Sequence, residues 1–507
     1  MMRSSGIIGV GTGLSRVLGF VRDIIFANFF GTSMVAQAFV VAFRIPNTLR
    51  DLAGEGAMNS AIVPVLSEYK TLRDEKEFAH AARVLFNISF LFLSIATILG
   101  IIFSPVIVRI MAPGFMAEPE KFQLTVALNR VMFPYLILIG LTAYSMGILN
   151  SMKHFAAPAF GPSFMNIVLI LSMVWLYPTI GIMGLAIGVL VGGLAQLAIN
   201  MAFMYKYGIR INLKDGLRHG AVKRIGKLLL PRTLGSAVYQ INIFVDTILA
   251  SLSSVVGVGG VAALYYSNRL IQFPLAIFGL AVAQAALPKM SQEFAANDIE
   301  ALKTTLSFSM RAVFLIMLPA SFALAVLGEP IIRVLFQRGE FTAYSTGITQ
   351  SALFFYSFGI LAFGGIKLLV TAFYAMHDTV TPVKTAFVAV IINAVLSVIL
   401  MWPMKLGGLA LATSISATFN LINLYMILKK RIGDFGTKDI LDSFFRVLFA
   451  SIVMTMTLKA LMAIYPHPGC KELGICIIAG IASFSISSYF FGVREVKDLS
   501  VWISKRK

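Results

Sequence analysis

Apolar residues run through this chain in long blocks separated by short polar connections. The blocks fall near 6–31, 34–66, 80–111, 122–151, 158–180, 181–205, 225–252, 259–292, 303–332, 345–376, 380–402, 405–429, 440–464 and 472–493. Each is at least as long as the roughly 18 residues a helix needs to cross a hydrocarbon core. Alternating strand patterns of about ten residues are absent, which argues against an outer-membrane barrel. The pattern predicts an all-α polytopic membrane protein with about fourteen transmembrane helices.

Polar connections give the expected orientation. Those after even-numbered spans are basic: EYKTLRDEK at 68–76, KYGIRINLKDGLRHGAVKRIGK at 206–227 and KKRIGDFGTK at 429–438, with SKRK at 504–507. Those after odd-numbered spans are neutral or acidic, such as PGFMAEPE at 113–120 and SSVVGVGG at 253–260. Lysine and arginine accumulate on the cytoplasmic side, so both termini are predicted to be cytoplasmic.

The chain also repeats itself. AFVVAFR (38–44) aligns with ALYYSNR (263–269), pairing Arg44 with Arg269, and PVLSEY (64–69) aligns with PKMSQEF (288–294). RDIIFAN (22–28) matches VDTILAS (245–251), Arg109 matches Arg333, and SMKHFAAP (151–158) matches AMHDTVTP (375–382). The offsets stay between 223 and 225. Two copies of a six-helix unit follow, and six being even, both have the same orientation. This is the parallel-repeat design of transporters, with a substrate path between lobes. The predicted parts are a lobe at 1–205, a basic cytoplasmic linker at 206–227, a lobe at 228–430, and two extra helices with a basic tail at 431–507.

Composition narrows the class further. Of 507 residues, 58% are hydrophobic and 13% charged, where a soluble domain carries about 25% charged residues. Mean hydropathy is +0.85. A net charge of +19 would suggest nucleic acid in a soluble protein, but here the basic residues sit in connections and no nucleic-acid partner is expected. MMRSS carries one arginine and no small-residue cleavage site follows, so it reads as the start of an uncleaved first helix. Two cysteines, Cys470 and Cys476, are too few for a disulfide framework. The five histidines are scattered without CxxC or HExxH, so neither a metal nor a catalytic site is expected.

Charges inside the apolar blocks need a reason, because each costs from about 2.5 to above 10 kcal/mol at the bilayer centre. SRVLGFVRD (15–23) holds Arg16, Arg22 and Asp23. Arg16 and Asp23 lie seven apart on nearly one helix face, where an ion pair is the structural alternative, and Arg22 points about 100° away. Arg44, Asp51 and Glu55 form a second stripe beside Arg50, with Pro46 as a kink, and Arg269 sits in YYSNRLIQFP. Arg44 to Glu55 spans about 16 Å, too far for snorkelling at one helix end to explain every charge. Five arginines against three carboxylates suit an anion. The guanidinium fork is the preferred partner of phosphate, so a pyrophosphate is the natural cargo group.

The segments SRVLGFVRDIIFANFFG, AFVVAFRIPNTLRDLAGEGAMNSAIVPVLSEY, YYSNRLIQFPLAIFGLAVAQAALP and LFQRGEFT resemble the MurJ (MviN) lipid II flippases, within the multidrug and oligosaccharidyl-lipid exporters. The resemblance runs along nearly the whole chain. It implies a V-shaped, fourteen-helix transporter, not an enzyme, that alternates access in the bacterial cytoplasmic (inner) membrane. The implied cargo is lipid II, the undecaprenyl-pyrophosphate-linked peptidoglycan precursor, moved to the periplasmic leaflet. Membrane lipids are implied partners, and cell-wall synthesis machinery is a candidate one.

By motif position the resemblance places cavity arginines at Arg16, Arg22, Arg50 and Arg269, and gating or structural acids at Asp23 and Glu55. The last two helices would then form a groove for the lipid tail. Some members resemble sodium-binding transporters; Asp246, Asn393 and Thr413 match that pattern, while Ser397 stands where a carboxylate is expected. No other cofactor is implied. Gln37 and Asn268 also replace family acids, and Arg50-Asp51 stands where a double arginine is usual. Two alternatives stay open: an exporter of another polyprenyl-linked oligosaccharide or a drug, and a membrane-embedded glycan-lipid enzyme.

Overall fold

In the computed structural model every regular element of the described residues is helical. Residues 1, 54, 73, 213, 214 and 497–507, and the side chains of 2–8, 51–61, 228, 230–237 and 239, lie outside what the structure describes. The chain divides into two compact units, Met1–Leu252 and Ser253–Lys507.

The first unit holds α1 (Met2–Phe30), α2 (Met34–Ala53), α3 (Glu55–Leu72), α4 (Glu75–Ile102), α5 (Ser104–Met111), α6 (Pro119–Met132), α7 (Tyr135–Ser151), α8 (Ala156–Leu171), α9 (Tyr177–Ile180), α10 (Ile182–Lys206) and α11 (Gly220–Ala250). The second holds α12 (Ser253–Val256), α13 (Gly260–Pro274), α14 (Leu280–Ala295), α15 (Ile299–Phe336), α16 (Ala343–Ser357), α17 (Ile360–Ala375), α18 (Val380–Ile432), α19 (Thr437–Ile464) and α20 (Cys470–Phe490). One-turn π segments continue α8 at Ser172–Leu176 and α13 at Leu275–Gly279.

Among the described residues nine helices are long and apolar enough to cross a membrane, or ten when the pair α16 and α17, bent by 48°, is taken as one span. The chain is a multi-pass membrane protein. One of the nine is double: α18 has 53 residues, and at Lys405 its backbone turns to φ 51°, ψ −130°. At 1.5 Å per residue it would otherwise be about 80 Å long, more than twice a hydrocarbon core. Three further spans expected from sequence fall on α1, on α2 with α3, and on α11, the helices that carry the unusual charges.

Lipid provides no hydrophobic drive between helices, so close packing and small residues must bind them. In the first unit α10 brings Gly192 against Met165 of α8 and Gly193 against Tyr135 of α7. Helix α11 packs on α2 and α3, and Ser251 just after it accepts at 3.0 Å from the Gly114 N–H. In the second unit α19 lies along α15 and α20 along α19. Leu327 of α15, Met454 and Leu458 of α19 and Cys476 of α20 share one buried cluster.

The sequence repeat reappears as repeated geometry at an offset of 224. Gly181 (φ 62°) joins α9 to α10 where Lys405 (φ 51°) joins the halves of α18. Across these turns Gly184 abuts the Leu176 backbone and Gly408 abuts the Leu400 backbone, with no room for a side chain. Asp74 and Asp298 cap helices, accepting from the Glu77 N–H at 2.8 Å and the Ala301 N–H at 2.9 Å. Lys153 and His377 take positive φ at two further matching turns, where the N–H groups of His154 and Asp378 each close a 2.9 Å bond to Leu149 O and Phe373 O. One latch has changed chemistry. His154 Nδ1 meets the Tyr207 hydroxyl at 3.2 Å, whereas Asp378 Oδ2 meets Arg431 Nη1 at 2.5 Å. Partial burial opposes the Asp378 charge, but bonds from Thr381, Arg431 and Val380 outweigh it and hold the carboxyl down at about 2.

Candidate functional site

Helix α1 supplies the densest group of the expected residues. Asp23 is 2% exposed, and its Oδ1 accepts from Arg22 Nη2 at 2.7 Å and from Arg22 Nε at 3.1 Å. Arg22 Nη1 donates at 3.1 Å to Asn166 Oδ1 of α8. The Asn166 amide in turn donates to the Ser15 carbonyl at 3.1 Å. Helical projection alone turns Arg22 away from Asp23, yet the arginine side chain is long enough to curl back onto its neighbour. Arg16, which shares a face with Asp23, is exposed. The acid and the amide therefore fix one guanidinium, and α1 is tied to α8 through it.

The other expected residues stand apart from this group. Arg44 is half-buried on α2 and donates to the Thr247 hydroxyl of α11. Arg50 is half-buried in the last turn of α2. Arg269, in α13, is half-buried over the Tyr265 ring, its guanidinium carbon 5.1 Å from the centroid. That stacking keeps an arginine planar and oriented in a weakly solvated place. The expectations for Asp51 and Glu55 fall on side chains outside the described residues.

The candidate cation residues divide between the units. Asn393 and Thr413 meet inside α18, with Thr413 Oγ1 3.2 Å from Asn393 Oδ1. Ser397, which replaces an expected acid, reaches the same oxygen at 3.5 Å. Asp246 is half-buried on α11 in the first unit. Among the described residues no group of three or more His, Cys, Asp or Glu side chains could hold a metal ion. Of the other replacements, Gln37 is fully buried with its Oε1 unpartnered, and Asn268 accepts from Gln272 at 2.5 Å. Cys470 and Cys476 are both free thiols.

Asn166, Thr247 and Tyr265 were not singled out by the sequence. A trace existed for two: Asn166 is a lone amide in the apolar run FMNIVLI, and Tyr265 precedes Arg269 by one helical turn. Thr247 carries no such mark.

The sequence profile of the family described as "Lipid II flippase MurJ" matches residues 26–476. This chain belongs to the MurJ lipid II flippase family. The family is one of transporters, not enzymes. A probable lipid II flippase MurJ of Vibrio cholerae is 35% identical, covering 98% of this chain and 97% of its own length. The lipid II flippase MurJ of Burkholderia cenocepacia is 33% identical over 82% of each chain. A solved MurJ in an inward closed conformation superposes with TM-score 0.82 at 27% identity, over 97% of this MurJ-family chain and 99% of the other. A multidrug MATE transporter shares the fold alone, with TM-score 0.72 at 17% identity over 83% and 95%.

Proposed function

We propose that this MurJ-family chain moves lipid II from the cytoplasmic to the periplasmic leaflet by alternating access. The lobes at 1–205 and 228–430 form the moving halves, and the helices of 431–507 take the lipid tail. Arg16, Arg22 and Arg269 draw the pyrophosphate, with Arg50 and Arg44 adding positive potential along the path.

The observation that carries this reading is the way Arg22 is held. A guanidinium that must meet a diphosphate at fixed geometry needs its rotamer locked by neighbours. Buried Asp23 and Asn166 supply that lock. A merely structural arginine would need the acid but not the amide on a second helix.

Binding of a short-chain polyprenyl pyrophosphate to the purified protein tests the role of the arginines. Replacing Arg16, Arg22 or Arg269 by alanine is expected to weaken binding at least tenfold, about 1.4 kcal/mol. Affinity unchanged in all three, with the proteins folded, would remove the arginines from the cargo site. Sodium coupling through Asp246, Asn393 and Thr413 is the accompanying proposal, since hard cations take oxygen ligands of this kind. A melting temperature indifferent to exchanging potassium for sodium would argue against it.

A further inference from the structure

Beyond the transport path, six charged side chains from three segments of the second unit meet around one cavity. They are Arg311 of α15, Asp439, Asp442 and Arg446 of α19, and Arg494 and Glu495 just after α20, with Ser443 completing the wall. Arg311 Nη1 is 2.7 Å from Glu495 Oε1, Arg446 Nε is 2.7 Å from Asp442 Oδ2, and Arg494 Nη1 is 3.3 Å from Asp439 Oδ1. Arg446 also donates to the Phe491 carbonyl at 2.7 Å. Three arginines face three carboxylates, so the cluster is formally neutral.

It is nevertheless unfinished. Arg311 Nε, Ser443 Oγ and Glu495 Oε2 are buried without a hydrogen-bond partner. Ser443 is only 5% exposed and Glu495 only 8%. Buried polar groups are rarely left so, and three in one cavity ask for a ligand. The unmet demands are of both signs: donors at Arg311 and Ser443, and an anionic acceptor at Glu495. Leading away from the cavity, Leu441, Phe445 and Phe449 form an exposed stripe four residues apart on α19, as a surface in contact with acyl chains would.

We propose that this cavity binds the headgroup of a zwitterionic membrane phospholipid that carries a primary ammonium. The phosphate accepts from Arg311, Ser443 and the outer arginines, and the ammonium donates to Glu495. The apolar stripe on α19 receives the acyl chains. An acidic headgroup would meet the donors but leave Glu495 unsatisfied beside two further carboxylates. A choline headgroup has no N–H to give.

Native mass spectrometry of the full-length protein, with phosphatidylethanolamine, phosphatidylcholine and phosphatidylglycerol of identical chains, tests this. Phosphatidylethanolamine is expected to be retained about tenfold better than either competitor. Ser443→Ala and Arg494→Gln are each expected to reduce that preference severalfold while the protein stays monodisperse. Ser443→Ala removes only a hydroxyl and keeps the test valid if the arginine variant misfolds. Equal retention of the three lipids, preference for phosphatidylglycerol, full displacement by inorganic phosphate, or a preference untouched by Ser443→Ala would each overturn the proposal.

Discussion

The Arg22–Asp23–Asn166 group separates two roles that a single alanine substitution would confuse. Asp23→Asn keeps the shape and an acceptor oxygen but removes the charge that takes two bonds from Arg22, at 2.7 and 3.1 Å. Hydrogen bonds to charged groups contribute about 1.5–3 kcal/mol each, and breaking a buried pair costs about 3–5 kcal/mol. Arg22 keeps Asn166 and is 15% exposed, so the net loss falls at about 2–3 kcal/mol. For a unit of 252 residues that corresponds to a melting temperature lower by roughly 5 °C. Arg22→Lys makes the opposite change. It keeps the positive charge beside Asp23 but loses the planar fork that a diphosphate needs. Its melting temperature is expected within about 2 °C of the parent, with transport down at least tenfold. The assays are thermal melting in detergent and lipid II transport in proteoliposomes at matched protein content. Full transport by Arg22→Lys, or an unchanged melt for Asp23→Asn, would refute the division into one cargo ligand and one structural acid.

Other expectations come from the repeated turns. Lys405→Gly should stabilise the protein by about 1 kcal/mol, since the position has φ 51° and its matching turn uses Gly181; a lower melting temperature would contradict that. Gly408→Ala should destabilise by about 2–3 kcal/mol, because a Cβ there would lie 2.2 Å from the Leu400 carbonyl oxygen. The Asp378–Arg431 latch should depend on acid. Its carboxyl is depressed to about 2 from an ordinary 3.8, so its contribution is full above about pH 4 and fades as pH falls towards 2. Asp378→Asn should cost about 1 kcal/mol at neutral pH and flatten that part of the acid-stability profile.

Much of the architecture was legible because lipid leaves a membrane chain few options. Apolar blocks gave the helices and the 224-residue offset gave the repeat, down to the pairing of Gly408 with Gly184 and Asp298 with Asp74. The bend between α16 and α17, the division of α6 from α7 and the π turns were not legible, since they arise from local packing inside continuous apolar runs. In the site, residue type was easier to read than geometry. Arg22 and Asp23 stood out as charges, but their pairing did not, because a helical wheel places Cβ atoms and not the ends of arginine side chains. Asn166 and Thr247 were missed because their importance lies in which helix packs opposite, something α1 and α2 alone do not encode.

Leaflet-resolved accessibility of lipid II in living cells, with this chain supplied or depleted, tests the central claim most directly. On depletion, lipid II should accumulate in the cytoplasmic leaflet and disappear from the periplasmic one, and the intact chain should restore it where the Arg22→Ala chain does not. Unchanged periplasmic lipid II on depletion, with loss confined to a different surface polysaccharide, would contradict the account.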